Sequence, residues 1–419
     1  MKHDVKIAQK NAAPVAALRT VPSFTDARTD ARQVADAIDP DAPLMLFSAA
    51  ALVHQLAQLR AAFPGDVTFA VKANSAPEVL TALAAANIAG FDVASPSEIE
   101  AVRRIAPAAR LNYHNPVKSR FEIARAYRDH GVVRFAADDL REIEKILGVT
   151  GDDPNVEIAV RFRLPNLGAA VHDFSTKFGC DPSDAAELLR FVGARGLKPI
   201  LTFHPGSQCR SPDAYRRHIE AAAGIARAAG VRLAILNTGG GLPVAYRGMD
   251  VPDLRHFMTA IANATRNAFA GDDLPRLECE PGRALAAPCM SLLTRVKLVK
   301  ASRREVFLND GIYGALMEVA QVPALCPPYR ALRTEGQFSP DMAEFTAFGP
   351  TCDPLDRLPM MLRLPDQIAE GDYIEFGQLG AYGAVMATRF NGYGAAKTVP
   401  VLSVLTCTQD RENAPALSG

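Results

Sequence analysis

The stretch Phe69-Ala70-Val71-Lys72-Ala73-Asn74-Ser75 decides how the rest of the chain reads. Its lead-in, Val67-Thr68-Phe69-Ala70-Val71, is β-branched and aromatic and predicts a buried strand. That strand stops at a single lysine, and loop-type residues follow at once. An isolated lysine at such a point is ordinarily a surface residue beginning a loop. A lysine buried at a strand end must instead be paired, neutralised or used covalently. The surrounding sequence chooses between the two.

Working outward, Leu52, Leu56, Leu59 and Phe63 repeat at helical spacing from Ser48 to the break at Pro64-Gly65, so a helix precedes the strand. Leu44-Met45-Leu46-Phe47 predicts a short strand before it. After Lys72, short apolar runs alternate with amphipathic helices. Further strands are expected at Gly90 to Val93, Arg110 to Tyr113, Val132 to Ala136, Val156 to Phe162, Pro199 to His204, Leu233 to Leu236 and Arg276 to Cys279. With the first, they make eight. Ser95-Pro96-Ser97-Glu98 and Ser211-Pro212-Asp213 each set a capping serine before a proline at the first helical position. Eight strand-helix units of this length predict a parallel β/α barrel. The competing doubly wound open sheet lacks its Gly-x-Gly-x-x-Gly fingerprint after the first strand.

Beyond Pro281-Gly282-Arg283 the rhythm changes. Leu292 to Val299, Val306 to Asn309, Ala343 to Phe348 and Tyr373 to Phe376 read as strands of a second, mostly β domain, and the Pro-rich stretch 322–340 reads as loop. The expected organisation is an N-terminal segment 1–43 packed on the β domain, a barrel over 44–290, a β domain over 291–410 and a tail over 411–419.

Composition narrows the function. The 419 residues are 48% hydrophobic and 22% charged, the balance of a globular protein with a large core. The 46 basic and 46 acidic residues cancel, so no global field favours nucleic acid or an anionic membrane. The seven cysteines form no CxxC pair and argue against a disulfide framework, which fits a cytoplasmic setting. No run approaches the ~20 apolar residues of a membrane span.

In a β/α barrel the chemistry sits at the C-terminal strand ends. Here those ends carry Lys72, Asp92, His114, Asp138, Arg161, His204, Gly239-Gly240-Gly241, Glu280 and Arg283. Three glycines in a row let backbone N–H groups approach an anion, or else simply make a flexible turn. Arg283 can add a bidentate contact to a phosphate or form a structural ion pair. His204, in Phe203-His204-Pro205-Gly206-Ser207, is a candidate for stacking on a flat cofactor, with Ser207 as a phosphate donor. Glu280 facing a pyridine nitrogen would keep it protonated and the ring a strong electron sink. Together these describe a site for pyridoxal 5'-phosphate. In the β domain, Cys352 lies in the loop Gly349-Pro350-Thr351-Cys352-Asp353, where a thiol can exchange protons. Tyr382 in Gly380-Ala381-Tyr382-Gly383 is a candidate phosphate ligand.

From Leu44 to Val399 these motifs, in this order, resemble the fold-type III pyridoxal-phosphate-dependent amino-acid decarboxylases, the group of ornithine, lysine, arginine and diaminopimelate decarboxylases. The resemblance implies an alanine-racemase-like barrel plus β domain, working as a head-to-tail homodimer with two shared sites. It assigns Lys72 in Ala-Val-Lys-Ala-Asn as the lysine that carries the cofactor. Asp92 and Arg161 would lie near the cofactor, and His204 would stack on its ring. Ser207, Gly239, Gly240, Gly241, Gly282, Arg283 and Tyr382 would surround the phosphate, and Glu280 would pair with the ring nitrogen. Cys352 and Asp353 would reach into the partner's site, the thiol governing reprotonation, and Lys177 and Asp356 would form an intersubunit ion pair. Glu280 favours decarboxylation over racemisation, since alanine racemases offer arginine to the ring.

Gly-Pro-Thr-Cys-Asp and Asp310-Gly311-Ile312-Tyr313-Gly314 resemble the ornithine and lysine branch, in which Asp353 and Tyr313 would meet substrate. Two departures stand out. The Tyr-Asp-His segment whose aspartate binds the distal amine is replaced by Ala315-Leu316-Met317-Glu318-Val319-Ala320-Gln321-Val322-Pro323, where Glu318 is the substitute acid. Asn237-Thr238 stands before the glycines where an aspartate is common, a change expected to affect packing alone. The expected reaction is decarboxylation of ornithine, lysine or a related cationic amino acid, feeding polyamine synthesis. The alternatives are a tailoring decarboxylase for a larger or modified amino acid in siderophore or natural-product synthesis, and a non-catalytic regulatory homologue. The last would be expected to lack Lys72 or Cys352, and both are present.

Overall fold

The computed structural model describes residues 29–407 except 152, 166, 174, 175 and 395. Residues 1–28 of the expected N-terminal segment and the tail 411–419 lie outside the described residues.

The expected barrel is present. Its parallel strands are Asp66–Val67 continued by Phe69–Ala70, then Phe91–Val93, Leu111–Tyr113, Arg134–Ala137, Glu157–Arg161, Pro199–Thr202, Ile235–Asn237 and Arg276–Cys279. The first strand closes the sheet on itself. Its first half pairs with Arg276–Cys279 and its second half with Phe91–Val93. At the break, Thr68 donates its N–H to Cys279 O at 2.9 Å. Apolar residues fill the middle of the barrel, where Ala136, Ala159, Ile200 and Ile235 cluster across four strands. The N-terminal strand ends are plugged by charge. Arg134 reaches Glu157 at 2.5 Å and the fully buried Glu278 at 2.6 Å, and Arg110 meets Asp66 at 3.2 Å. A pair as buried as Arg134 with Glu278 holds only when its donors and acceptors are matched, and these charges leave the opposite mouth as the open end.

The helices between strands follow from local chemistry. Ser95 accepts from Glu98 N and starts Pro96–Ile105. Ser211 also stands before its helix, Pro212–Ala229, but its side chain makes no capping bond.

The second sheet runs in the order Tyr329–Leu332, Tyr373–Phe376, Met290–Lys300, Glu305–Leu308, Met342–Phe348, Arg357–Pro365. Three expectations need correction. Leu44–Phe47 belongs to this sheet and not to the barrel, pairing antiparallel with Met290–Lys300 and parallel with Lys397–Pro400. All four of its residues are buried, so it needs a neighbour on both edges. The stretch 322–340 is not all loop, since Tyr329–Leu332 pairs with Tyr373–Phe376 inside it. Arg357–Pro365, absent from the expected strands, is a nine-residue strand. The helix Ala31–Ile38 packs its Ala31, Val34 and Ala35 against Leu44, Leu46, Leu293 and Tyr373 of this sheet.

Candidate active site

Phe69–Ala70 runs directly into one 3-10 turn, Val71–Ala73. Val71 and Ala73 are buried on either side, which leaves the Lys72 side chain facing a cavity at the barrel mouth. The second sheet braces this turn. Tyr382 N donates to Ala73 O at 2.8 Å, and Asn74 Nδ2 donates to Gly380 O at 2.7 Å. Gly282 lies beneath, where a Cβ would sit 2.9 Å from that of Ala73.

The glycine run extends the strand Ile235–Asn237 and is not a free turn. Gly239 and Gly241 have φ of +67° and +90°, and a Cβ on them would lie 2.1 Å from Phe203 O and 2.2 Å from Gly206 O. Gly240 would place its Cβ 2.7 Å from Glu280 O. Only glycine fits such positive φ and such close approach. Gly240, Gly241, Ser207, Arg283 and Tyr382 line one small pocket together with Lys72. Arg283 lies 4.8 Å from the Tyr382 ring centre and donates to the Tyr246 hydroxyl at 3.0 Å. Its buried Nε has no hydrogen-bond partner among the described residues, an unsatisfied donor at the wall of that pocket.

Glu318 is placed elsewhere than the sequence suggested. It grips Arg283 with both carboxylate oxygens, one at 2.8 Å. It lines neither cavity at the mouth, so it does not offer a free carboxylate to a substrate amine there.

A second cavity, of about 500 Å³, shares Ala70, Lys72, His204 and Glu280 with the first and extends past Asp92 and Arg161 to Lys177 and Phe178. The two form one slot with Lys72 at its waist. The Arg161 guanidinium lies 5.5 Å from the centre of the Phe178 ring. His204 Nδ1 accepts from Gly206 N at 3.1 Å, which places its proton on Nε2. Burial, then the charges of Lys72 and Arg161, keep this imidazole neutral, well below the usual histidine range.

The carboxylates are arranged around a histidine to which the sequence assigned no role. His114 Nδ1 lies 2.5 Å from Glu280 Oε1 and 3.4 Å from Asp92 Oδ1. Asn237 Nδ2 reaches the same Glu280 oxygen at 2.5 Å, so its effect is not confined to packing. Asp92 accepts from Thr68 Oγ1 and, at 2.9 Å, from Asn112 Nδ2. Burial and the neighbouring Glu280 push Asp92 up to about 7. Burial also works against Glu280, but the charge and hydrogen bond of His114, together with neighbours that include Arg161, outweigh it, and Glu280 is pushed down to about 2. The two carboxyls are thus driven apart, Glu280 toward its ionised form and Asp92 toward its protonated one.

Cys352, Asp353 and Tyr313 lie apart from both cavities. Cys352 is exposed, with Sγ 3.2 Å from Asn391 Oδ1, and the Tyr313 hydroxyl donates to Asp353. Asp356 corrects an expectation. It is 1% exposed and accepts from Ile312 N at 3.0 Å, Thr351 N at 3.0 Å and Thr351 Oγ1 at 2.8 Å. A carboxylate so enclosed by its own chain presents no face to a partner's Lys177.

Residues 49–287 match the family described as pyridoxal-dependent decarboxylase, pyridoxal binding domain. The lysine/ornithine decarboxylase of Selenomonas ruminantium is 33% identical over 341 residues, covering 80% of this chain and 82% of that one. The fold is shared with solved structures. The arginine decarboxylase of Paramecium bursaria Chlorella virus superposes with a TM-score of 0.78 at 26% identity, covering 88% of this chain and 98% of that one. The lysine/ornithine decarboxylase of Vibrio vulnificus, complexed with putrescine, superposes with a TM-score of 0.75 at 27% identity, covering 88% and 96%.

Proposed function

Because this chain belongs to the pyridoxal-dependent amino-acid decarboxylases, we propose that its slot holds pyridoxal 5'-phosphate with Lys72 at the attachment point, and that it acts on a cationic L-amino acid of the lysine and ornithine type. The products are the amine and CO2. The reading rests on one observation. Lys72, His204, Ser207, Gly240, Glu280, Arg283 and Tyr382, spread over more than three hundred residues of sequence, line a single pocket.

The pocket suits that cofactor. The glycine run and the unsatisfied Arg283 Nε make an anion cradle at one end, and a neutral imidazole and an ionised carboxylate stand where a flat cationic ring would pass. When bound, pyridoxal phosphate supplies the electron sink that makes loss of a carboxylate as CO2 feasible. The protein does the rest. Ser207, Gly240, Gly241, Arg283 and Tyr382 anchor the phosphate, and Lys72 fixes the reacting end. His204 presents an apolar, uncharged face to the ring, and Glu280 keeps a proton at the ring nitrogen. Arg161, at the substrate side of Lys72, offers the cation that steers the substrate carboxylate.

The remaining group lies on the second sheet. Cys352, Asp353 and Tyr313 do not line their own chain's slot. We therefore place them in the slot of a second copy, with the Cys352 thiol as proton donor to the decarboxylated carbon and Asp353 toward the substrate's far end. A homodimer with shared sites follows. Leu355 beside this loop is 71% exposed, an apolar side chain suited to burial against a partner.

One observation favours a second reading, a larger or modified amino acid. Within the segment 315–323, which replaces the amine-binding segment of the ornithine branch, the one acid, Glu318, is engaged by Arg283, and Val322 is buried and apolar. A panel assay separates the readings. Purified protein with pyridoxal phosphate is given lysine, ornithine, arginine, diaminopimelate and bulkier analogues, and CO2 and amine are measured. Release from lysine or ornithine supports the first reading; release from bulkier analogues alone supports the second.

A further inference from the structure

We propose that His114 and Asn237 form a donor clamp on one oxygen of Glu280, and that this clamp sets where the proton shared between Glu280 and the cofactor's ring nitrogen resides. The proposal rests on the cofactor reading above and concerns two residues to which that reading gives no role.

The geometry is specific. Both donors converge on Oε1, His114 Nδ1 at 2.5 Å and Asn237 Nδ2 at 2.5 Å. Asn237 cannot turn its amide over, because its Oδ1 accepts from Gly239 N at 2.8 Å within the glycine run. His114 is fixed by its own N–H, which donates to Val93 O at 3.0 Å. Its Nε2 is buried without a hydrogen-bond partner among the described residues, so Nδ1 is its working atom. Glu280 Oε2 makes no hydrogen bond among the described residues and is the oxygen left for a ligand.

The consequence is electrostatic. A proton between Oε2 and a ring nitrogen has two places to sit. Donors on Oε1 lie nearer to Glu280 than to the ring, so they oppose protonation of the carboxylate more than protonation of the ring. The proton is therefore driven onto the ring nitrogen, where it strengthens the electron sink. Charges reach His114 from three strands. Asp92 faces it from Phe91–Val93, Glu280 follows Arg276–Cys279, and Arg134 opposes it from Arg134–Ala137. Burial and Arg134 oppose a charge on the imidazole, but Glu280, through charge and hydrogen bond and with a smaller contribution from Asp92, outweighs them, so the imidazole sits above its ordinary value and its charged, donating form is favoured. An aspartate at 237 would do the reverse, setting a further carboxylate against Glu280.

The test uses cofactor labelled with 15N at the ring nitrogen, bound to wild type, His114→Ala, His114→Asn and Asn237→Asp. The 15N chemical shift reports ring protonation directly, whatever the turnover. Wild type is expected in the protonated range. His114→Ala and Asn237→Asp are expected to move toward the unprotonated range, and His114→Asn, which keeps a donor but loses the charge, to fall between wild type and His114→Ala. If His114→Ala does not fold, Asn237→Asp alone carries the comparison. A wild-type shift in Asn237→Asp, with or without the same in a folded His114→Ala, overturns the proposal. A wild-type protein showing only free cofactor overturns the cofactor reading itself, and the clamp with it.

Discussion

Asp92 gives the site a pH signature before any cofactor binds. Its carboxyl ionises near 3.8 in the unfolded chain and near 7 in the fold, because burial and the adjacent Glu280 disfavour its charge. Between those values the folded state holds a proton that the unfolded state has lost. Asp92 therefore contributes stability that is full below about 4 and is lost as the pH rises through about 7. Asp92→Asn, which is neutral throughout, removes that dependence. In calorimetry of cofactor-free protein, the unfolding midpoint of wild type should fall relative to Asp92→Asn between pH 5 and 8, and parallel curves would contradict the assignment. Much of this site was legible in the sequence. Lys72, His204, Ser207, Glu280, Arg283 and Tyr382 were found because each follows a readable strand end or sits in a readable turn. Asn237 and His114 were quoted but their partnership with Glu280 was not, since which polar groups meet across a barrel mouth depends on inter-strand register, and short apolar runs do not encode register.

The turn bearing Lys72 is not held by the barrel alone. Asn74 is 3% exposed and spends its side chain on two elements, donating to Gly380 O at 2.7 Å and accepting from Ala76 N at 2.9 Å, at the start of Pro77–Ala85. Asn74→Ala leaves buried partners unmet and should cost about 1–3 kcal/mol of stability. It should also weaken cofactor affinity several-fold in a fluorescence titration while leaving the lysine in place; unchanged affinity would mean that the brace does not position Lys72. Gly241→Ala is the sharper lesion. With φ of +90° and a Cβ 2.2 Å from Gly206 O, alanine forces the cradle open, and cofactor retention through gel filtration should be lost. Elements were legible where hydrophobic pattern dominated. Two of the strands not foreseen, Tyr329–Leu332 and Arg357–Pro365, are the ends of the main run of their sheet. Edge positions tolerate proline, and Pro327, Pro328 and Pro359 made these stretches look like loop although Leu358, Leu362 and Leu364 alternate inward.

At the scale of the whole molecule, the site as read from one chain has an attachment lysine but no proton donor from the Cys352 loop. If two copies exchange these parts, a mixture of Lys72→Ala and Cys352→Ala proteins, each nearly inactive, should regain about a quarter of wild-type activity, since half the symmetric dimers are mixed and each carries one intact site. No recovery, with mixed dimers verified by mass, would place Cys352 outside the site. Two-part architecture and cofactor class were legible because eight strand ends and their polar residues recur in order. How two copies would meet was not: the expected contact through Asp356 dissolves on finding that carboxylate enclosed by Thr351 and Ile312. Among the described residues no helix is long and apolar enough to cross a membrane. The most direct test of the central claim is chemical. Protein loaded with pyridoxal phosphate is reduced with borohydride, digested and mapped by mass spectrometry. The pyridoxyl mass should fall on the peptide containing Lys72 and vanish in Lys72→Ala; a label on another lysine, or none in wild type, would contradict the account.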